Sequence, residues 1–163
     1  MNISGISYPD VNNGLGCRVT LWVSGCSHHC KGCQNKETWD KKSGRVFSKE
    51  DKDKLFDILS KPYIKGLTLS GGDPLDSFDE VLQVVKEIRD TFGSTKDIWL
   101  YTGYTLDQIN NSEKKEILPY INYLVDGLFE LDKRDITLKF RGSTNQIIWE
   151  NKDGKFEKSE LNN

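Results

Sequence analysis

The sequence predicts an α/β fold in which βα units build a mostly parallel sheet that stops short of a complete barrel. Short β-branched and aromatic runs alternate with helical periodicities along the chain, a pattern that implies parallel strands joined by crossover helices. At 163 residues the chain can bury a core but is short for an eight-unit α/β barrel. Its distinctive glycine, cysteine and aspartate segments each follow a strand, on the edge where α/β folds bind ligands.

Arg18 to Ser24 (RVTLWVS) alternates apolar and polar residues and reads as the first strand. It runs directly into GCSHHCKGCQN, residues 25–35. Ser48 opens a helix to about Ser60, with Leu55, Phe56, Ile58 and Leu59 on or near one face and Pro62 beyond its end. Lys65 to Ser70 (KGLTLS) is a second strand, stopped by Gly71-Gly72-Asp73-Pro74. Ser77 and Glu80 have the spacing of a capping box, and Val81, Leu82, Val84, Val85, Ile88 and Phe92 supply the apolar stripe of the helix that follows.

Asp97 to Thr102 (DIWLYT) is a third strand, turned by Gly103-Tyr104, after which Thr105 and Gln108 mark another capped helical start. A short helix is expected over Glu113 to Leu118, interrupted by Pro119. Ile121 to Val125 (INYLV) is a fourth strand ending at Asp126-Gly127, and Ile136 to Phe140 and Gln146 to Trp149 are further candidate strands. From about Glu150 the chain is polar and is expected to fray. No repeat or linker divides it, so residues 1–150 are read as one domain and 151–163 as a polar C-terminal tail.

Lys and Arg total 23 against 25 Asp and Glu, a net charge of -2, which argues against a nucleic-acid binder. No apolar run approaches the roughly 20 residues that span a bilayer, and MNISGISYPD has neither the basic nor the apolar region of a signal peptide. A cytoplasmic location without membrane contact is therefore expected, and in that reducing compartment thiols bind metal or do redox chemistry more often than they form bridges.

Cys26, Cys30 and Cys33 form C-x3-C-x2-C, which lets three thiolates from one loop converge on a compact object. A structural zinc site needs four ligands, which His28, His29 or Cys17 could complete. Cys30-x-x-Cys33 alone has thioredoxin-like spacing. An iron–sulfur cubane held by three thiolates would leave one iron open to a further ligand. The histidines read as solvated loop residues, and Cys17 as a small buried hydrophobe at a strand start.

The three-cysteine spacing after a first strand, with a Gly-Gly-acidic turn after the second, resembles the radical S-adenosylmethionine (SAM) superfamily. GLGCRVTLWVSGCSHHCKGCQNKETWD, LTLSGGDPL, IWLYTGY, VDG and RGSTNQ, spread over about Val11 to Trp149, together resemble the family of glycyl-radical activases that serve the anaerobic ribonucleoside-triphosphate reductase. The resemblance implies an abbreviated radical SAM-type partial (βα) barrel. It implies a [4Fe-4S] cluster on Cys26, Cys30 and Cys33, whose open iron chelates the amino and carboxylate groups of SAM. Reductive cleavage would release methionine and a 5′-deoxyadenosyl radical, which removes hydrogen from a glycine Cα near the C-terminus of the reductase's large subunit. No catalytic side chain beyond cluster and SAM is implied.

By the same resemblance Gly71, Gly72 and Asp73 meet the methionine amino group, while Gly32, Cys33 and Gln34 lie against adenine or ribose through their backbone. Asp126 is a candidate for the ribose hydroxyls. Gly32 departs from a common superfamily pattern, in which an aromatic residue precedes the last cysteine. Thr102 and Tyr104 are placed on the same edge, and Arg141 either pairs with a carboxylate on SAM or on the partner protein or belongs to a surface loop. An incomplete barrel has an open side that a protein loop serving as substrate can close. A reduced carrier such as flavodoxin is the implied electron donor. Two other readings stand beside this one: a radical SAM enzyme acting on a small molecule such as a deazapurine precursor, and a non-catalytic zinc-binding module.

Overall fold

The alternation in RVTLWV decides how the central sheet faces its two sides. In the computed structural model, which describes Met1 to Asn163, Val19, Leu21 and Val23 are fully buried against the helical layer. Arg18, Thr20 and Trp22 point to the other side, as the two-residue period of a strand requires. The elements in order are β1 (Asn2–Asp10), β2 (Arg18–Val23), β3 (Arg45–Val46), α1 (Lys49–Leu59), β4 (Gly66–Gly71), α2 (Phe78–Phe92), β5 (Asp97–Tyr101), α3 (Leu106–Asn110), β6 (Tyr123–Asp126), β7 (Ile147–Lys152) and β8 (Lys155–Lys158). They form one eight-stranded sheet in the order β3-β1-β2-β4-β5-β6-β7-β8.

The β2-β4-β5-β6 core is parallel, as the alternation of strands and helices predicts. The expectation of a mostly parallel sheet is nevertheless corrected. β1 pairs antiparallel with β2 and β3, β6 with β7, and β7 with β8, so antiparallel pairings flank the core on both sides. Those outer strands are joined by loops and turns, with no crossover helix to return the chain in parallel. β1 has no clean sequence signal, because Gly5 and Pro9 break its alternation and the ladder is irregular between Ile3 and Gly5 and between Ser7 and Asp10.

Capping chemistry accounts for two helix starts and corrects a third. Ser48 accepts from Asp51 N while the Asp51 carboxylate accepts from Ser48 N, and Thr105 with Gln108 does the same for α3. Ser77 makes no side-chain cap; α2 continues straight from a 3₁₀ turn, Pro74–Ser77, whose first free N–H, on Leu75, is bound by Asp73. Glu80 pairs instead with the Met1 ammonium group at 3.5 Å. The helix expected over Glu113 to Leu118 is a 3₁₀ segment, Glu113–Tyr120, that includes Pro119. Ile136 to Phe140 is loop, with Ile136 84% exposed and Phe140 at φ 63.

The expectation that the chain frays from about Glu150 is also corrected. Asp153 and Gly154 both have positive φ, the geometry of a tight hairpin turn, and return the chain from β7 into β8. Beyond β8, Asn162 both donates to and accepts from the Ile148 backbone, at 2.8 and 2.9 Å. The polar tail is held by the β7–β8 pairing, by the Asn162 side chain, and by Phe156 and Leu161 packing against the core.

The face of the sheet opposite the helices is polar and aromatic. Arg18, fully buried, pairs with Asp97 and donates to Thr68 Oγ1 at 2.8 Å, Leu15 O at 2.9 Å and Leu67 O at 2.8 Å. Its guanidinium lies over the Trp99 ring, which stacks on Tyr123 with centroids 4.4 Å apart. Removing one member of a buried ion pair strands the other, at a cost of about 3–5 kcal/mol. Arg18→Leu is therefore expected to lower stability by about 3 kcal/mol or more in urea unfolding at neutral pH. The double variant Arg18→Leu/Asp97→Leu should recover part of that loss, since no charge is left unpaired.

Candidate functional site

Beyond the carboxyl ends of β2, β4, β5 and β6, four loops converge on a cleft of about 150 Å³. Cys26, Cys30 and Cys33 line it, together with Gly71, Gly72, Asp73 and Thr102. The cysteine loop is fastened to its neighbours through main-chain bonds: Asp73 N donates to Gly25 O at 2.8 Å, Gly25 N to Thr38 O at 2.6 Å, and Cys26 N to Trp39 O at 3.0 Å. A Cβ on Gly72 would collide with the Gly25 carbonyl, so a side chain there would push the two loops apart.

Asp73 organises this edge. Its side chain is 1% exposed and accepts from Leu75 N at 2.9 Å, from Thr102 Oγ1 at 2.9 and 3.0 Å, and from Gly103 N at 2.9 Å. His28 Nε2 meets Asp73 Oδ2 at 2.6 Å and, since a carboxylate only accepts, is the donor. That bond raises the His28 pKa above the ordinary histidine value, against the opposing effect of burial. The ring also packs edge-on against Tyr104, whose hydroxyl donates to Asp76 at 2.6 Å. The expectation that the histidines are solvated loop residues holds for His29, an exposed loop residue, and is corrected for His28. His28 is 14% exposed and ties the cysteine loop to Asp73, while His29 stacks on Trp39.

The remaining expected residues separate. Gln34 lines a second cleft, of about 480 Å³, which Cys33, Asn35, Ser70, Tyr101, Phe129 and Gln146 share with the first. Gly32 lines neither; its φ is +76, and a Cβ would come within 2.8 Å of Leu131 Cδ1, so the residue serves the loop's turn. Asp126 also lines neither cleft. It is buried and accepts from Leu106 N at 2.7 Å, holding the start of α3. Cys17 packs against the core, away from both clefts.

RGSTNQ has a structural task that spacing did not disclose. Gln146 Nε2 donates to Gly127 O at 3.0 Å, Asn145 Nδ2 to Leu128 O at 2.7 Å, and Glu130 N to Ser143 Oγ at 3.3 Å. The segment thereby shapes the loop after β6 and presents Phe129 to both clefts. Arg141 meets no carboxylate; it donates to Gln146 O and Asn162 O, each at 2.7 Å, and so joins this segment to the C-terminal turn. Phe129, Tyr101 and Asn35 were missed because their loop or strand-end positions show only once the edge is assembled. For Phe129, an aromatic residue two positions beyond an Asp-Gly turn was the available signal.

The donor set fits a cluster better than a redox pair or a single ion. Burial pushes the Cys26 thiol up to about 11, with the charges of Asp73 and Asp76 adding to it, and burial likewise raises Cys30. Redox-active CxxC thiols have lowered values, whereas thiols held neutral by burial become ligands when a cation compensates their charge. The ligand atoms of Cys26, His28 and Asp76 come within 4.8 Å of one another, but Cys30 and Cys33 stand outside that group. A tetrahedral zinc with bonds of about 2.3 Å would bring its sulfurs to within about 3.8 Å, while three thiols spread around one cleft suit a larger, multi-iron object.

The Asp73 arrangement predicts the effect of a near-isosteric change. Asp73→Asn keeps the shape but removes the charge and turns one acceptor oxygen into a donor. Stability should fall by about 2 kcal/mol, as expected for hydrogen bonds to a buried charged group. Hydrogen exchange should accelerate at the Leu75 and Gly103 amides, while amides of β1 change only by the global loss.

Comparison with known proteins agrees with this chemistry. A family model described as a 4Fe-4S single cluster domain matches residues 12–149. The anaerobic ribonucleoside-triphosphate reductase-activating protein of Vibrio cholerae is 49% identical over 146 residues, covering 86% of this chain and 93% of that protein. The protein of the same name from phage T4 is 42% identical over 156 residues, 94% of this chain and 97% of its own. That of Escherichia coli K12 is 45% identical over 146 residues, 86% and 94% respectively. The thiol-lined cleft lies wholly within the matched region, and the chain belongs to the family of anaerobic ribonucleoside-triphosphate reductase-activating proteins.

Proposed function

We propose that this chain is a radical SAM enzyme that installs a glycyl radical on the anaerobic ribonucleoside-triphosphate reductase. The observation that carries the reading is the meeting of Cys26, Cys30 and Cys33 with the Gly71-Gly72 turn in one cleft, at the carboxyl ends of the parallel strands. The parallel core is read as an abbreviated radical SAM-type partial barrel, with its mouth at that cleft. Cys26, Cys30 and Cys33 would hold three irons of a [4Fe-4S] cluster and leave the fourth for SAM. Bound and reduced, such a cluster supplies the electron that cleaves SAM to methionine and a 5′-deoxyadenosyl radical.

The chain's own residues bind, orient and seclude. The Gly71-Gly72 backbone lets the amino group of SAM approach without a Cβ in the way. Asp73 supports that turn from inside, because its carboxylate is occupied by protein donors. Phe129, which lines the cleft beside Cys30 and Cys33, supplies the aromatic wall for adenine that Gly32 cannot. The second, wider cleft admits the glycine-bearing segment of the reductase, whose arrival excludes water. A reduced carrier such as flavodoxin delivers the electron. No helix is long and apolar enough to cross a membrane.

Anaerobic reconstitution with iron and sulfide should give a brown protein with about four of each. Reduction and mixing with reductase and SAM should then produce a glycyl-radical doublet by EPR. SAM cleavage without a doublet would redirect the assignment to a small-molecule substrate, and a colourless protein with stoichiometric zinc would overturn it. Cys26→Ala, Cys30→Ala and Cys33→Ala should each reduce 5′-deoxyadenosine formation to background. Cys17→Ala, at a residue packed on the core, should retain its iron.

A further inference from the structure

The wall shared by the two clefts holds a hydroxyl that the scaffold does not use. Tyr101 ends β5 and lines both clefts, and its phenolic oxygen is shielded from solvent without any hydrogen-bond partner. A buried hydroxyl left unpaired destabilises the fold, so a partner arriving in the cleft would gain what the folded chain forgoes. Burial pushes the phenol's pKa upward, which keeps the proton in place and makes the group a donor at neutral pH. Two other polar side chains on this wall, Gln146 and Asn35, are committed elsewhere. Gln146 accepts from Gly142 N and Ser143 N and donates to Gly127 O, and Asn35 donates to Gly71 O.

The activase reading, on which this inference rests, puts the reacting hydrogen on a glycine Cα. Glycine has no side chain to grip, so its orientation must be set through the flanking peptide groups. Those offer carbonyl acceptors, which suit a neutral phenol donor. We propose that Tyr101 Oη donates a hydrogen bond to a main-chain carbonyl beside the reacting glycine of the reductase. The bond positions the Cα–H at the junction of the two clefts, where misplacement by about 1 Å costs rate steeply. Tyr101 is in this sense a substrate-positioning residue.

Tyr101→Phe preserves the ring and removes only the donor. Reconstituted holoenzyme with SAM and no reductant is titrated calorimetrically with a synthetic peptide spanning the reductase's radical-bearing glycine. The variant's Kd should rise about 5- to 10-fold, the scale of one neutral hydrogen bond. With reductant and full-length reductase, glycyl radicals formed per 5′-deoxyadenosine should fall at least about tenfold. Unchanged Kd and unchanged coupling would overturn the proposal. So would a fall in melting temperature matched by iron loss, which marks a structural role. If the wild-type enzyme cleaves SAM but makes no glycyl radical, the activase reading itself fails and this inference falls with it.

Discussion

Asp73 keeps a carboxylate out of water at the point where the cysteine loop, the turn after β4 and the turn after β5 meet. Such a group is tolerated only with its lone pairs occupied, and each donor comes from a segment that would otherwise be free to move. Leu75 N starts the turn into α2, Thr102 and Gly103 belong to the loop after β5, and His28 stands between two of the cysteines. One buried charge therefore sets the spacing between the thiols and the glycine turn. Most of the cofactor geometry follows from that, because a loop holding three thiols has no regular backbone ladder of its own.

The two faces of the sheet divide the remaining work. The face toward α1 and α2 is a conventional apolar core. The opposite face is closed at the amino ends of the strands by Arg18, Thr68 and the Trp99–Tyr123 stack. At the carboxyl ends it opens into the clefts above Ser70 and Tyr101. RGSTNQ holds the far wall by bonding to the loop after β6. A site at the open end of a partly filled channel is stiff below and accessible above.

What the sequence made legible follows from which signals are local. The parallel core, the helix starts at Ser48 and Thr105, and the grouping of the cysteines with Gly71-Gly72 at one edge all rest on short periodicities, caps and strand-end turns. β1 was not legible because its pairing, and no pattern of its own, makes it a strand. The hairpin of β7 and β8 was written in Asp153-Gly154 but masked by the polarity around it. His28 looked like one more solvated loop residue, because its partner lies 45 positions away. The bonds of Arg141 to the Gln146 and Asn162 carbonyls were not legible either, because both acceptors are main-chain atoms that only the fold brings to it.

The sheet is open, with β3 at one edge and β8 at the other. An exposed edge is a template on which a foreign strand can assemble. β3 is only two residues long, and β8 reads Lys-Phe-Glu-Lys along its whole length. Shortness at one edge and charge at the other make both poor templates, so neither self-association nor recruitment by strand addition is favoured. A partner that came instead to the mouth of the clefts would cover the thiol-lined site as it reached it.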